Sequence, residues 1–96
     1  MESIIQKKKE CYITGCTFNL HEHHVYGGGR RKISEKYGLK IWLRNDWHNF
    51  ANYGVHNNPD LDKKIKAEVQ KIAMEHYKWS VEDFIRIVGK NYIKEV

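Results

Sequence analysis

Apolar positions follow two different rhythms along the chain, and the change falls near residue 58. From Pro59 onward, Leu61, Ile65, Val69, Ile72 and Ala73 recur at intervals of three and four. That spacing gathers a single apolar stripe along a helix of about five turns. Lys63, Lys64, Lys66, Glu68 and Lys71 take the solvated face. Asn58 suits the N-cap, and Pro59 suits the first helical position, where no backbone N–H is needed. Asp60 and Asp62 meet the positive end of the helix dipole. A second helix opens at Ser80-Val81-Glu82-Asp83, a Ser followed three residues later by an acid. Phe84, Ile85, Ile87 and Val88 supply its apolar face, and Gly89 its stop. Both helices are expected to buttress what the first half builds.

Before residue 58 the apolar runs are short. Tyr12-Ile13 and Leu20 to Tyr26 read as strand fragments. Lys40-Ile41-Trp42-Leu43 reads as another, with Gly38 before it and Asn45-Asp46 after it. Arg31 to Tyr37 has the makings of a helical turn ended by Gly38. The fold class expected is α+β, with a short antiparallel hairpin and two C-terminal helices. Residues 1–10 form a basic lead-in, 11–58 the strand region and 59–96 the helical part, all within one domain. Lys7-Lys8-Lys9 is expected to fray into solvent or to touch phosphate.

Charge narrows the class of partner. Lys and Arg number 17 against 12 Asp and Glu, a formal net charge of +5 with a pI near 9.2, which favours an anionic partner. No apolar run approaches the roughly 18–20 residues that span a bilayer, so no membrane partner is expected. Met1 to Glu10 lacks the apolar segment of a signal peptide. Two cysteines without such a segment suit a reducing cytoplasm better than a disulfide framework.

The candidate chemistry lies in the histidines. Five of the six, His21, His23, His24, His48 and His56, fall between residues 21 and 56. Histidine is the commonest metal-binding side chain and a proton acceptor near neutral pH. Side chains alternate on a strand, so His23 and His24 point to opposite faces. One ring can hold a metal while its neighbour activates water. Gly27-Gly28-Gly29 followed by Arg30-Arg31-Lys32 forms a basic turn suited to phosphates, although a solvated turn has the same composition. The pattern points to metal-assisted cleavage of a phosphodiester. His76, near the end of the long helix, reads as structural.

Glu22-His23-His24-Val25, the basic glycine loop, Ile41-Trp42-Leu43, and His48 with Gly54-Val55-His56 resemble the ββα-metal signature of the HNH endonucleases. The resemblance is nearer to small phage-encoded HNH proteins and runs from about Cys11 to Ile93. It implies a compact ββα-metal core, a DNA substrate and one divalent ion (Mg²⁺, Mn²⁺ or Zn²⁺). It further implies a phage-encoded protein acting in the bacterial cytoplasm. His23 and His48 would be metal ligands, His56 or Asn52 the third, and His24 the general base. Arg30, Arg31 and Lys32 would hold phosphates. The chain departs from the pattern in two places. A structural zinc of the family uses Cys-x-x-Cys and a second ligand pair, but here Thr14, Arg44 and Trp47 occupy three of those positions. Cys11-x4-Cys16 with His21 is the remaining zinc candidate. No asparagine lies between Val25 and Arg44 to fix the loop around the base, leaving Asn45 or Asn49 as substitutes. The alternative is a non-catalytic HNH-derived binder, either a DNA-binding module or a phage inhibitor of a host defence nuclease of the anti-CRISPR kind.

Overall fold

In a computed structural model, which describes residues 1–93 and, for Phe50, the backbone alone, an antiparallel hairpin is packed against helices in an α+β arrangement. Strand β1 (Leu20–His24) and strand β2 (Lys40–Arg44) form an antiparallel hairpin, with His23 opposite Ile41 and His24 opposite Lys40. Helix α1 (Arg31–Tyr37) fills the connection between them, and Gly38 ends it at φ 69°. A Cβ on Gly38 would also collide with the backbone of Glu2, so both its conformation and its crowding require glycine. A π-helical turn (Asp46–Phe50) and a 3-10 turn (Val55–Asn57) follow β2. Helices α2 (Pro59–Tyr77) and α3 (Val81–Val88) complete the fold.

Local chemistry explains the helix ends. The Asn58 side chain accepts the Leu61 N–H at 3.2 Å, and Pro59 begins α2. Ser80 and Asp83 exchange both bonds of a capping box at the start of α3. Ile65, Val69 and Ala73 of α2 and Phe84 and Val88 of α3 are buried against Val25, Tyr26, Leu39, Ile41 and Leu43. Ile72 and Ile85 are exposed, so each stripe is narrower than its apolar residues alone suggest. Tyr26 joins the halves: its hydroxyl donates to the Lys66 carbonyl at 2.6 Å, and its ring meets Phe84 and Tyr92.

One expectation needs correction: Tyr12-Ile13 lies in a turn, not a strand. Lys7, Lys8 and Lys9 are exposed, while the residues before them are docked. Ser3 Oγ donates to the Lys40 carbonyl, Ile4 N–H to the Gly38 carbonyl, and Trp42 N–H to Gln6 Oε1. The open edge of β2 offers unpaired backbone groups, and this segment satisfies them. Lys9 lies over the Trp42 ring, 4.6 Å from its centroid. The helical part was expected to run to Val96, and residues 94–96 lie outside the described residues. Among the described residues, no helix is long and apolar enough to cross a membrane.

Candidate metal centre

Strand alternation divides the hairpin into two chemical faces. His21 and His23 share one with Ile41 and Leu43; Glu22 and His24 share the other with Lys40 and Trp42. On the first face, His23 is only 6% exposed, and its Nε2 is buried with no hydrogen-bond partner. Its ring centroid lies 5.2 Å from that of His48 and 5.1 Å from that of His56. His48 and His56 bring their Nε2 atoms to 3.0 Å. Ligand atoms from the three residues all lie within 4.8 Å of one another.

Backbone crowding brings the last two histidines together. Gly54 packs so closely on the Asp46 carbonyl that a Cβ there would lie 2.7 Å from it. The Asn57 side chain donates to the Asn49 and Ala51 carbonyls. The chain between His48 and His56 is thereby folded back on itself, which the Gly54-Val55-His56 order permits and a larger residue at 54 would oppose.

The donor set fits a divalent cation. Imidazole ligands must be neutral, and here burial, then the neighbouring His48 and His56, push the His23 pKa down to about 3. Burial, then His56 and His21, push that of His48 down to about 4. Nitrogens binding one tetrahedral zinc at 2.0–2.1 Å stand roughly 3.3 Å apart, near the separation of His48 and His56. An unsatisfied buried nitrogen costs about 1–3 kcal/mol, and a ligand bond would remove that cost.

A second group, Glu22, His24 and Glu35, also brings its donor atoms within 4.8 Å. It already holds a cation. The Lys40 ammonium lies 3.0 Å from Glu35 Oε2 and 3.4 Å from Glu22 Oε1. Burial opposes the charge on Lys40, but the Glu35 bond and the two carboxylates hold its pKa above the ordinary lysine value. Glu35 Oε1 also meets His24 Nε2 at 3.0 Å. These bonds, that of His24 foremost, draw the Glu35 carboxyl down to about 2. Donation from His24 Nε2–H to the carboxylate leaves Nδ1 of that ring with its lone pair.

The other candidates sort by geometry. His23, His24, His48 and His56 line one cleft with Gly27, Gly28 and Arg31, and its continuation reaches Asp62 and Lys66. Arg30 does not line it; its guanidinium lies over Gly89, where a Cβ would stand 2.6 Å from Nη2. Lys32 is exposed on α1 and lines neither part of the cleft. Asn52 was expected one helical turn beyond His48, but the helical turn stops at Phe50 and Ala51 is extended, so that relation is absent. The Cys11, Cys16 and His21 zinc set does not assemble among the described residues. His21 Nδ1 instead meets His48 Nδ1 at 3.1 Å. Cys11 is a buried free thiol; burial opposes its thiolate, yet hydrogen bonds from Arg44 and Thr14 leave its pKa lowered. Arg44 pairs with Asp46 at 2.6 and 2.8 Å. Neither Asn45 nor Asn49 is the partner of His24; Glu35 is.

Sequence reasoning missed Glu35 and Lys66. Ser34-Glu35 within the inter-strand connection was visible, but nothing local pairs position 35 with position 24. Lys66 read as part of the solvated face, although its backbone carbonyl anchors Tyr26 and its ammonium pairs with Asp62 at the cleft. No protein-family model, no curated protein and no solved structure matches the chain.

Proposed function

We propose that the protein is a metal-dependent endonuclease of the HNH kind, in which the hairpin and the π-helical turn form a ββα-metal core. The observation that carries the reading is the buried, partnerless Nε2 of His23 beside His48 and His56, with His24 in the same cleft. His23, His48 and His56 would hold one divalent ion. When bound, that ion supplies Lewis-acid polarisation of a phosphate oxygen and stabilises the charge of the leaving group. His24 takes the proton of the attacking water on Nδ1, and Glu35 holds the opposite edge of the ring in place. The carboxylate thus does the orienting work for which the chain lacks an asparagine in its inter-strand connection. Arg31 lines the cleft and Lys66 its continuation, and both bind phosphates flanking the scissile one. DNA is the proposed substrate, its polyanionic backbone suiting the net charge of +5.

The test is nicking of supercoiled plasmid by the purified chain with Mg²⁺, Mn²⁺ or Zn²⁺, beside a chelated control. Nicking that needs the ion supports the reading. Tight binding of DNA or of a nuclease, with no nicking under any ion, would replace it with the non-catalytic binder.

A further inference from the structure

We propose that His21 is a positioning residue that holds the ligand His48 through the far nitrogen of its ring. The inference rests on the three-histidine centre proposed above. His48 presents Nε2 to His56 at 3.0 Å and Nδ1 to His21 Nδ1 at 3.1 Å. The His21 and His48 rings meet edge-on, with centroids 5.2 Å apart and planes at 85°. A bond between two imidazole nitrogens needs one N–H and one lone pair. For His48 to give its Nε2 lone pair to a cation, the neutral ring must carry its proton on Nδ1. That proton then points at Nδ1 of His21, which accepts it, and His21 keeps its own proton on Nε2. His21 therefore selects the tautomer of His48 and fixes the plane of its ring. Metal-bound histidines generally need such a partner, more often a carboxylate, a carbonyl or water. The strand explains the placement: His21 and His23 are two residues apart and share a face, with His21 opposite Leu43. One short strand thus carries a ligand and the group that steadies another ligand.

The experiment titrates the full chain with Co²⁺, whose visible bands report coordination, and then displaces it with Zn²⁺. His21→Ala should bind both ions 10–100-fold more weakly, with the shape of the cobalt spectrum kept because the three ligands remain. His21→Asn places a carbonyl oxygen near the position of Nδ1 and should recover most of the affinity. His21 is exposed, so thermal unfolding in chelator should barely change. In the zinc-loaded chain, ¹⁵N spectra should show His48 protonated on Nδ1. Unchanged affinity in His21→Ala overturns the role of His21 while leaving the centre standing, whereas His48 protonated on Nε2 overturns both, since that nitrogen could then hold no ion. A cobalt spectrum that loses a ligand in His21→Ala also overturns it, since His21 would then bind the ion directly. Failure of the wild-type chain to bind either ion removes the centre and this role together.

Discussion

Replacing His23 by Leu separates a metal ligand from a structural histidine, because the two roles predict opposite signs. His23 is 6% exposed, and its Nε2 has no partner. A buried polar atom in that state costs about 1–3 kcal/mol. Leucine has a similar volume and no polar atom, and a volume-conserving exchange costs under about 1.5 kcal/mol in repacking. The metal-free His23→Leu chain should therefore gain on the order of 1 kcal/mol. For a domain of this size that raises Tm by roughly 4–8 °C. Thermal unfolding followed by circular dichroism at pH 8 with chelator measures it. With Zn²⁺ at about 100 times its Kd, the wild type should in turn gain about 2.7 kcal/mol and the variant nothing. Stability given up at a site in exchange for function is common in enzymes. A metal-free variant less stable than the wild type would mean that His23 makes a contact the fold needs and is structural.

Two further outcomes follow from the same geometry. The folded pKa values of His23 and His48, about 3 and about 4, lie below their ordinary 6.5, so between these limits the unfolded chain binds more protons. The metal-free protein should be fully stable above about pH 6.5 and lose stability as the pH falls toward 4; the His23 contribution is at most roughly 4–5 kcal/mol. Urea unfolding between pH 8 and 4.5 should show the slope, flattened in His23→Leu; a level profile in the wild type would contradict it. Arg31→Ala with Lys66→Ala should reduce the salt dependence of DNA binding by about 1.8 units of slope, at roughly 0.9 per phosphate contact, whereas Arg30→Ala should leave it unchanged. An Arg30 effect as large as that of Arg31 would show that the cleft does not define the path of the DNA.

What the sequence revealed and what it hid divide along the range of the interactions. Gly38, Asn58-Pro59, Ser80 with Asp83, and Gly89 act within a turn of their own position, and each ends or begins a helix where its chemistry requires. Strand alternation was equally local, and it alone sends His23 and His24 to different faces. Contacts between distant segments were not legible. Nothing near Gln6 announces its bond to Trp42, and nothing near Glu35 announces His24. The grouping of His23, His48 and His56 was anticipated from a family resemblance, whereas the place of His21 depends on a ring orientation that spacing does not carry. Asn52 does not follow His48 by one helical turn, because the helical turn stops at Phe50 and Ala51 is extended.

In the function proposed above, three histidines hold one ion and a fourth, His24, takes the proton of the water that cuts the phosphodiester. The most direct measurement pairs zinc or manganese stoichiometry by native mass spectrometry with plasmid nicking, on wild type, His24→Ala and His23→Ala. Loss of a general base lowers rate by about 10²–10⁴-fold without removing a ligand. The wild type should hold one ion and nick, His24→Ala should hold one ion without nicking, and His23→Ala should do neither. A wild type that binds one ion and never nicks, or a His24→Ala chain that nicks at the wild-type rate, would rule out His24 as the general base of a metal-dependent nuclease.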